Sequence, residues 1–260
     1  MIFRIRFSKY GVVKFIGHLD VMRYFQKAVR RSLLPIKYSQ GFNPHQLMVF
    51  ASPLGVGITS DGEYMDIETE DTDSDGNPMT EKRVNEMLSL SLTEGFEIVS
   101  CVKIPWAEGT KHPENAMALV NGADYMVSLK DGYSLGILND NRDSLSELFN
   151  EFKSLPEITV NKKTKSGERL MDIKPYIYQA EFTDNGHCPG QFEPVGIVHA
   201  DTYEPGIRFF FRLSAGSAVN IKPEPVIEAF LQYANVDYNP LAFQIHRMQM
   251  YKDIDNVVSL

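Results

Sequence analysis

The stretch Ile2–Ser8, IFRIRFS, alternates strictly between apolar and basic side chains. Phe3, Ile5 and Phe7 share one face and Arg4 and Arg6 the other, the period-2 pattern of a strand with one face in a core. VVKFI (12–16), after a Tyr-Gly turn, reads as a short extension of that strand. HLDVMRYFQKAVRRSLL (18–34) then switches to helical spacing, with Leu19, Met22, Phe25, Val29 and Leu33 on one face. Asp20 suits the first turn of that helix electrostatically and Pro35 ends it. LMVFAS (47–52) is apolar and β-prone, and EYMDIETE (63–70) alternates again, Met65 and Ile67 inward, Tyr64, Asp66 and Glu68 outward. Pro78 opens a second helix, TEKRVNEMLSLSL, and GFEIVSCVKI (95–104) reads as a closing strand. The order β-α-β-β-α-β is the ferredoxin-like signature.

PWAEGTKHPEN (105–115), with two prolines, a glycine and the only tryptophan, reads as a linker. It divides the chain into a ferredoxin-like domain, 1–110, and a second, elaborated ferredoxin-like α+β domain, 111–260. In the second, ADYMVSL (123–129) reads as a strand, RDSLSELFNEFKSL as a helix, and residues 158–182 as a hairpin turning at Lys165-Ser166-Gly167. GIRFFFRLS (206–214) is a strand, EPVIEAFLQYAN a helix started by Pro223 and Pro225, and AFQIHRMQMY (242–251) a last strand. Residues 182–204 fit no simple duplicate of the first half.

No run of about 18 apolar residues is present, which excludes a membrane-spanning helix. Arginines inside the first apolar stretch do not suit a signal-peptide core. Two distant cysteines, Cys101 and Cys188, exclude a disulfide framework and a CxxC metal site, and point to a reducing cytoplasm. The net charge is -8, yet residues 1–50 hold nine Lys/Arg against one acid, Asp20. Such asymmetry implies either an anionic partner for one face or an internal match of basic and acidic surfaces.

The basic residues have a pattern. Arg23, Lys27, Arg30 and Arg31 line the polar side of the first helix, the first three at i, i+4, i+7, a stripe suited to a phosphate backbone or to plain solvation. The turn SQGFNPH (39–45) adds Gln40, Phe42, Asn43 and His45, an aromatic and two amides that a rigid recognition loop uses for stacking and hydrogen bonding. Lys162, Lys163 and Lys165 crowd the later hairpin as a second basic contact or as ordinary solubilising lysines. Arg4 and Arg6 are expected to pair with Asp66 and Glu68 across the sheet. A charged face of that kind leaves no room for the base stacking by which RNA-recognition domains use it. His18 and His45 are the candidate general acid/base groups, placed by topology at opposite ends of the sheet. Gly55, Gly57 and Gly62 precede no helix and read as a hairpin connection, not a phosphate loop. His187, Cys188 and His199 have poor metal spacing; no metal or cofactor is expected.

RIRFSKYG (4–11), GHLDVMRYFQKAVRRSLLPIKYSQGFNPH (17–45), SPLGVGITSDGEYMDIE (52–68) and KKTKSGERLMDIKPYI (162–177) resemble the radical-SAM-associated bacterial proteins, a family of unknown function, over nearly the whole chain. Members are encoded beside radical SAM enzymes or fused to them, near genes for large-subunit ribosomal proteins and a ribonuclease. The resemblance implies a radical SAM enzyme as partner and a ribosomal or transfer RNA connection. It carries over no catalytic residue. The chain lacks CxxxCxxC, so the iron–sulfur cluster would belong to the partner. The helix and loop are also similar to CRISPR RNA-processing proteins, which implies a metal-independent endoribonuclease as the alternative. A protein adaptor that never meets RNA is the third reading.

Overall fold

The structure is a computed structural model that describes residues 1–107, 109–136, 138, 141–164, 167–183 and 198–260. The first half runs β1 (Ile2–Lys9), α1 (His18–Arg31), β2 (Met48–Phe50), β3 (Thr59–Glu68), α2 (Glu81–Ser89) and β4 (Phe96–Ile104). The second runs α3 (Ala116–Leu119), β5 (Gly122–Leu129), α4 (Arg142–Ser154), β6 (Thr159–Thr164), β7 (Gly167–Asp172), β8 (Ile177–Thr183), β9 (Arg208–Ser214), α5 (Pro223–Tyr233), β10 (Phe243–Asp253) and β11 (Val258–Ser259). This is a mixed α+β chain with five α-helices among the described residues. One nine-stranded, mostly antiparallel sheet passes through both halves in the order β4-β1-β3-β10-β5-β9-β8, with β2 on β3 and β11 on β10. β6 and β7 form a separate hairpin.

The alternation of β1 builds the first core. Phe3, Ile5 and Phe7 meet Phe25, Val29, Val84 and Leu88 from α1 and α2. The buried face of α1 is Val21, Phe25, Ala28 and Val29. Leu19 and Leu33, expected on that face, are exposed. Leu33 lies past the helix end at φ 57, where the left-handed turn swings it outward. VVKFI is not strand either: Gly11–Phe15 forms a 3₁₀ turn, entered through Gly11 at φ 58. The residues expected to form a linker pack back on the sheet. His112 Nε2 lies 3.0 Å from Glu68 Oε1, and the Trp106 and His112 rings are 5.3 Å apart.

Arg4 and Arg6 do point away from the helices, but that face is covered and both are buried. Arg4 forks onto Asp66 at 2.8 and 2.9 Å, as the register Arg4↔Asp66 allows. Asp66 also accepts the Ala116 N–H at 2.7 Å, which fixes the start of α3. Among its bonds Arg6 donates to main-chain carbonyls of Asp61, at 2.9 Å, and Met248, at 3.2 Å. The expected surface ion pairs are thus a buried network.

The second core gathers Phe149 from α4, Phe209 and Phe211 from β9 and Phe230 from α5. On the opposite face Arg212 forks onto Asp124 at 2.9 and 2.8 Å, and the Tyr251 hydroxyl donates to Asp124 at 2.6 Å. The halves join where β10 runs parallel to β3, with His246↔Thr59 and Arg247↔Ser60. Gly62 permits the approach: a Cβ there would stand 2.6 Å from Gln249 Cα and from the Met248 carbonyl oxygen. Gly62→Ala must therefore push two backbones apart and is expected to destabilise the fold by about 2–4 kcal/mol in denaturant titration. Gly17→Ala, in open space, should cost less than about 1 kcal/mol.

Candidate functional site

On α1 the basic stripe faces out. Arg23, Lys27, Arg30 and Arg31 are all exposed. Arg23 is held 3.1 Å from Asp20, one turn earlier. Arg31 leaves the stripe: it donates to the Ser91 carbonyl at 2.8 Å and lies 5.8 Å over the Tyr24 ring. Lys27 and Arg30 have no carboxylate within 4.0 Å among the described residues, so two cations remain uncompensated beside a half-paired third.

The loop after α1 is self-bonded. Tyr38 and Gln46 form an antiparallel bridge. Ser39 N donates to the His45 carbonyl at 2.8 Å, and Ser39 Oγ meets His45 Nδ1 at 2.7 Å. Gln46 then donates to the Gln26 carbonyl at 3.3 Å, tying the loop base to the middle of α1, next to Lys27 and one turn from Arg23 and Arg30. Gln40, Phe42 and Asn43 form the tip, with Phe42 fully exposed. A bare aromatic on a closed loop whose base is tied to a cationic helix can stack a flat ring while the stripe follows its charge.

Other expected residues fall elsewhere. His18 opens α1 behind Gly17 and meets Phe50 edge-on, ring centres 5.7 Å apart. Burial lowers its pKa; Glu63 opposes this, and the charges of Arg247 and Lys9 reinforce it. His45 is bonded to Ser39 and lines a small hollow with His112, so the two histidines serve different places. Lys162 and Lys163 sit in β6, their backbones opposite Arg169 and Glu168 of β7. Lys165, His187 and Cys188 lie outside the described residues.

The seam between the halves holds polar groups that local pattern did not announce. Arg247 forks onto Glu63 at 2.8 and 2.5 Å and donates to the Ser52 carbonyl at 3.0 Å. Asp61 sits between two imidazoles, 3.1 Å from His246 Nε2 and 2.5 Å from His199 Nδ1. His246 Nδ1 meets Thr59 Oγ1 at 2.9 Å. His199 stacks on Tyr10, and its Nε2 lies 3.3 Å from Glu97. Thr59 is fully buried, so this Thr-His-Asp line holds the seam and offers no accessible nucleophile. Burial alone would raise the Asp61 carboxyl, but its bonds to His246 and His199 outweigh that and hold it down at about 2. Partners 138 and 185 residues apart leave no local sequence signal. Among the described residues, no group of three His, Cys, Asp or Glu is arranged to hold a metal, and no helix is long and apolar enough to cross a membrane.

The profile of a bacterial family described as "Uncharacterized protein conserved in bacteria (DUF2344)" matches residues 3–223. No curated protein matches the chain.

The Asp61 geometry sets a pH dependence. A carboxyl lowered on folding contributes stability that is complete above its unfolded pKa, near 4, and lost as the pH falls through the folded value near 2. Urea titrations should show the wild type losing on the order of 2 kcal/mol more than Asp61→Asn across that window.

Proposed function

We propose that this chain, which belongs to the DUF2344 family conserved in bacteria, is a non-catalytic RNA-binding protein that presents its RNA to a radical SAM enzyme. One observation carries the reading: a fully exposed Phe42 at the tip of a loop whose base is bonded to α1, the helix that carries the outward cations Arg23, Lys27 and Arg30. Phosphate contacts along the helix supply affinity and salt dependence, and the ring supplies a stacking platform. Ribosomal or transfer RNA is the substrate class that the family resemblance favours. Both faces of β1 and nearly all of β3 are buried, so base stacking on those strands has no surface to use. Among the described residues neither His18 nor His45 is bonded to another titratable side chain, which supports presentation over an endoribonuclease role.

The strand order supports a finer reading of the architecture. In the first half β4-β1-β3-β2 follows the ferredoxin-like permutation, and β10-β5-β9-β8 repeats it in the second, with the β6–β7 hairpin inserted. We read the chain as two ferredoxin-like domains, 1–110 and 111–260, fused edge to edge and working in the cytoplasm.

The test is affinity for ribosomal RNA fragments and bulk transfer RNA across a salt gradient. Joint reversal of Arg23, Lys27 and Arg30 to Glu should flatten the log–log slope by roughly 0.7 per lost phosphate contact. Phe42→Ala should cost about 1–3 kcal/mol of affinity with the slope unchanged. No binding at low salt would overturn the RNA reading and leave a protein adaptor. Cleavage lost on His18→Ala with binding retained would make the chain a nuclease.

A further inference from the structure

A second place in the molecule sets two lysines at the edge of an apolar hollow. Between the 3₁₀ turn after β1, the glycine-rich loop 51–58, the start of β10 and α5 lies a hollow of about 570 Å³. That is within the roughly 300–1,000 Å³ typical of small-molecule sites. Its floor is apolar, made by Val127, Ile227, Phe243 and Ile245. Its mouth is apolar as well: Phe15, Val56 and Leu241 are 65%, 62% and 67% exposed.

The charged groups fall into two sets. One is Lys14 with Lys130. Lys14 Nζ is 2.7 Å from Asp201. The Lys130 ammonium donates to the Leu241 carbonyl at 3.1 Å and, among the described residues, to no carboxylate. Burial and the charge of Lys14 both press Lys130 toward its neutral form, against Asp201. Two ammonium groups thus share one carboxylate, and the set is short of one negative charge. The other is Glu224, in the first turn of α5, whose Oε2 is closed off from the hollow and has no hydrogen-bond partner among the described residues. A buried carboxylate oxygen left without a donor is costly. The sets stand apart. Lys130 responds to Lys14 and Asp201, whereas Glu224 acts on Tyr238, which burial first, then Glu224 and Glu228, push up to about 12. A second hollow of about 450 Å³ shares Val56, Ile58 and Glu224, so the carboxylate stands in the wall between the two.

We propose that this hollow binds a small organic anion with an apolar, ring-sized body. The anionic group meets Lys14 and Lys130, and the body covers the apolar floor. Such a ligand supplies what the wall lacks, a second negative charge at the lysines. The glycine-rich loop gains a role here, because Gly57 takes φ 83 and brings the main chain over the mouth without a side chain to block it. The site shares no residue with α1 or the loop 38–46, so it stands or falls separately from RNA binding.

The test uses two dyes of one shape. 8-Anilinonaphthalene-1-sulfonate has an anion, an aromatic body and an N–H; N-phenyl-1-naphthylamine lacks only the sulfonate. Titrated by fluorescence into the folded full chain, the sulfonate should bind with one-to-one saturation, about tenfold or more tighter than the neutral dye. Lys130→Met should remove most of that preference and leave the neutral dye's affinity in place. Val56→Trp, a change at an exposed rim position, should block both dyes with an unchanged melting temperature. The α1 charge reversal should leave both dyes bound. Equal affinity for the two dyes, several equivalents bound, or binding indifferent to Val56→Trp would overturn the proposal.

Discussion

The contact between β3 and β10 is short, yet the rest of the molecule depends on it. Only Thr59 and Ser60 pair with His246 and Arg247. Two paired residues supply too few main-chain hydrogen bonds to hold two halves of a chain in one sheet. The remainder comes from side chains that reach across: Arg6 to the Met248 carbonyl, Arg247 to Glu63, His246 to Asp61, and the Tyr64 hydroxyl to Gln249 at 2.6 Å. All of them require the strands to be close, and closeness requires that residue 62 have no Cβ. The absence of one methyl group therefore decides whether these bonds form together.

Joining the halves at their edges also decides which surfaces are left for function. A strand edge that would otherwise be open is paired, and the face of β1 opposite the helices is roofed by α3 and the segment before it. Charged side chains suit an exposed sheet face; here they are buried and must be satisfied in full. Among the surfaces left exposed in the first half are the outer side of α1, the loop 38–46 and β4, whose Val99 and Val102 are open. The cations that make residues 1–50 so basic divide along the same line. Arg4, Arg6 and Lys9 are consumed inside, and Arg23, Lys27 and Arg30 stay outside. Charge asymmetry in the sequence thus had two causes, one structural and one open to a partner.

Elements with their own period were legible in the sequence. IFRIRFS, EYMDIETE and the stripe Arg23-Lys27-Arg30 carry their geometry in residue spacing alone, and each sits where that spacing puts it. The core face of α1 was harder, because Leu19 and Leu33 match the helical period yet lie at the two ends, where the helix no longer touches the sheet. The 3₁₀ turn Gly11–Phe15 departs from pattern for a related reason: its valines favour a strand, but Gly11 at positive φ turns the chain away first. The seam was illegible altogether. Asp61, Glu63, His199, His246 and Arg247 are ordinary residues in ordinary positions until 138 to 185 residues of intervening chain fold back.

Three buried Arg–carboxylate forks recur, and each crosses a different strand boundary. Arg4–Asp66 joins β1 to β3, Arg212–Asp124 joins β9 to β5, and Arg247–Glu63 joins β10 to β3. Buried pairs of this kind add little net stability, because desolvating both ions offsets most of their attraction. Their effect is on alternatives. The first two forks link residues directly opposite in register. A one-residue slip of either strand would carry the arginine to the other face, into phenylalanines, and leave the carboxylate buried alone. The cost of an unpaired buried charge, about 3–5 kcal/mol, then falls on the wrong register while the right one is spared. Hydrophobic faces on both sides of a long sheet specify register weakly, since apolar side chains tolerate one another in many arrangements. Forked charges are intolerant, and placing them at three strand boundaries biases a nine-stranded sheet toward one arrangement.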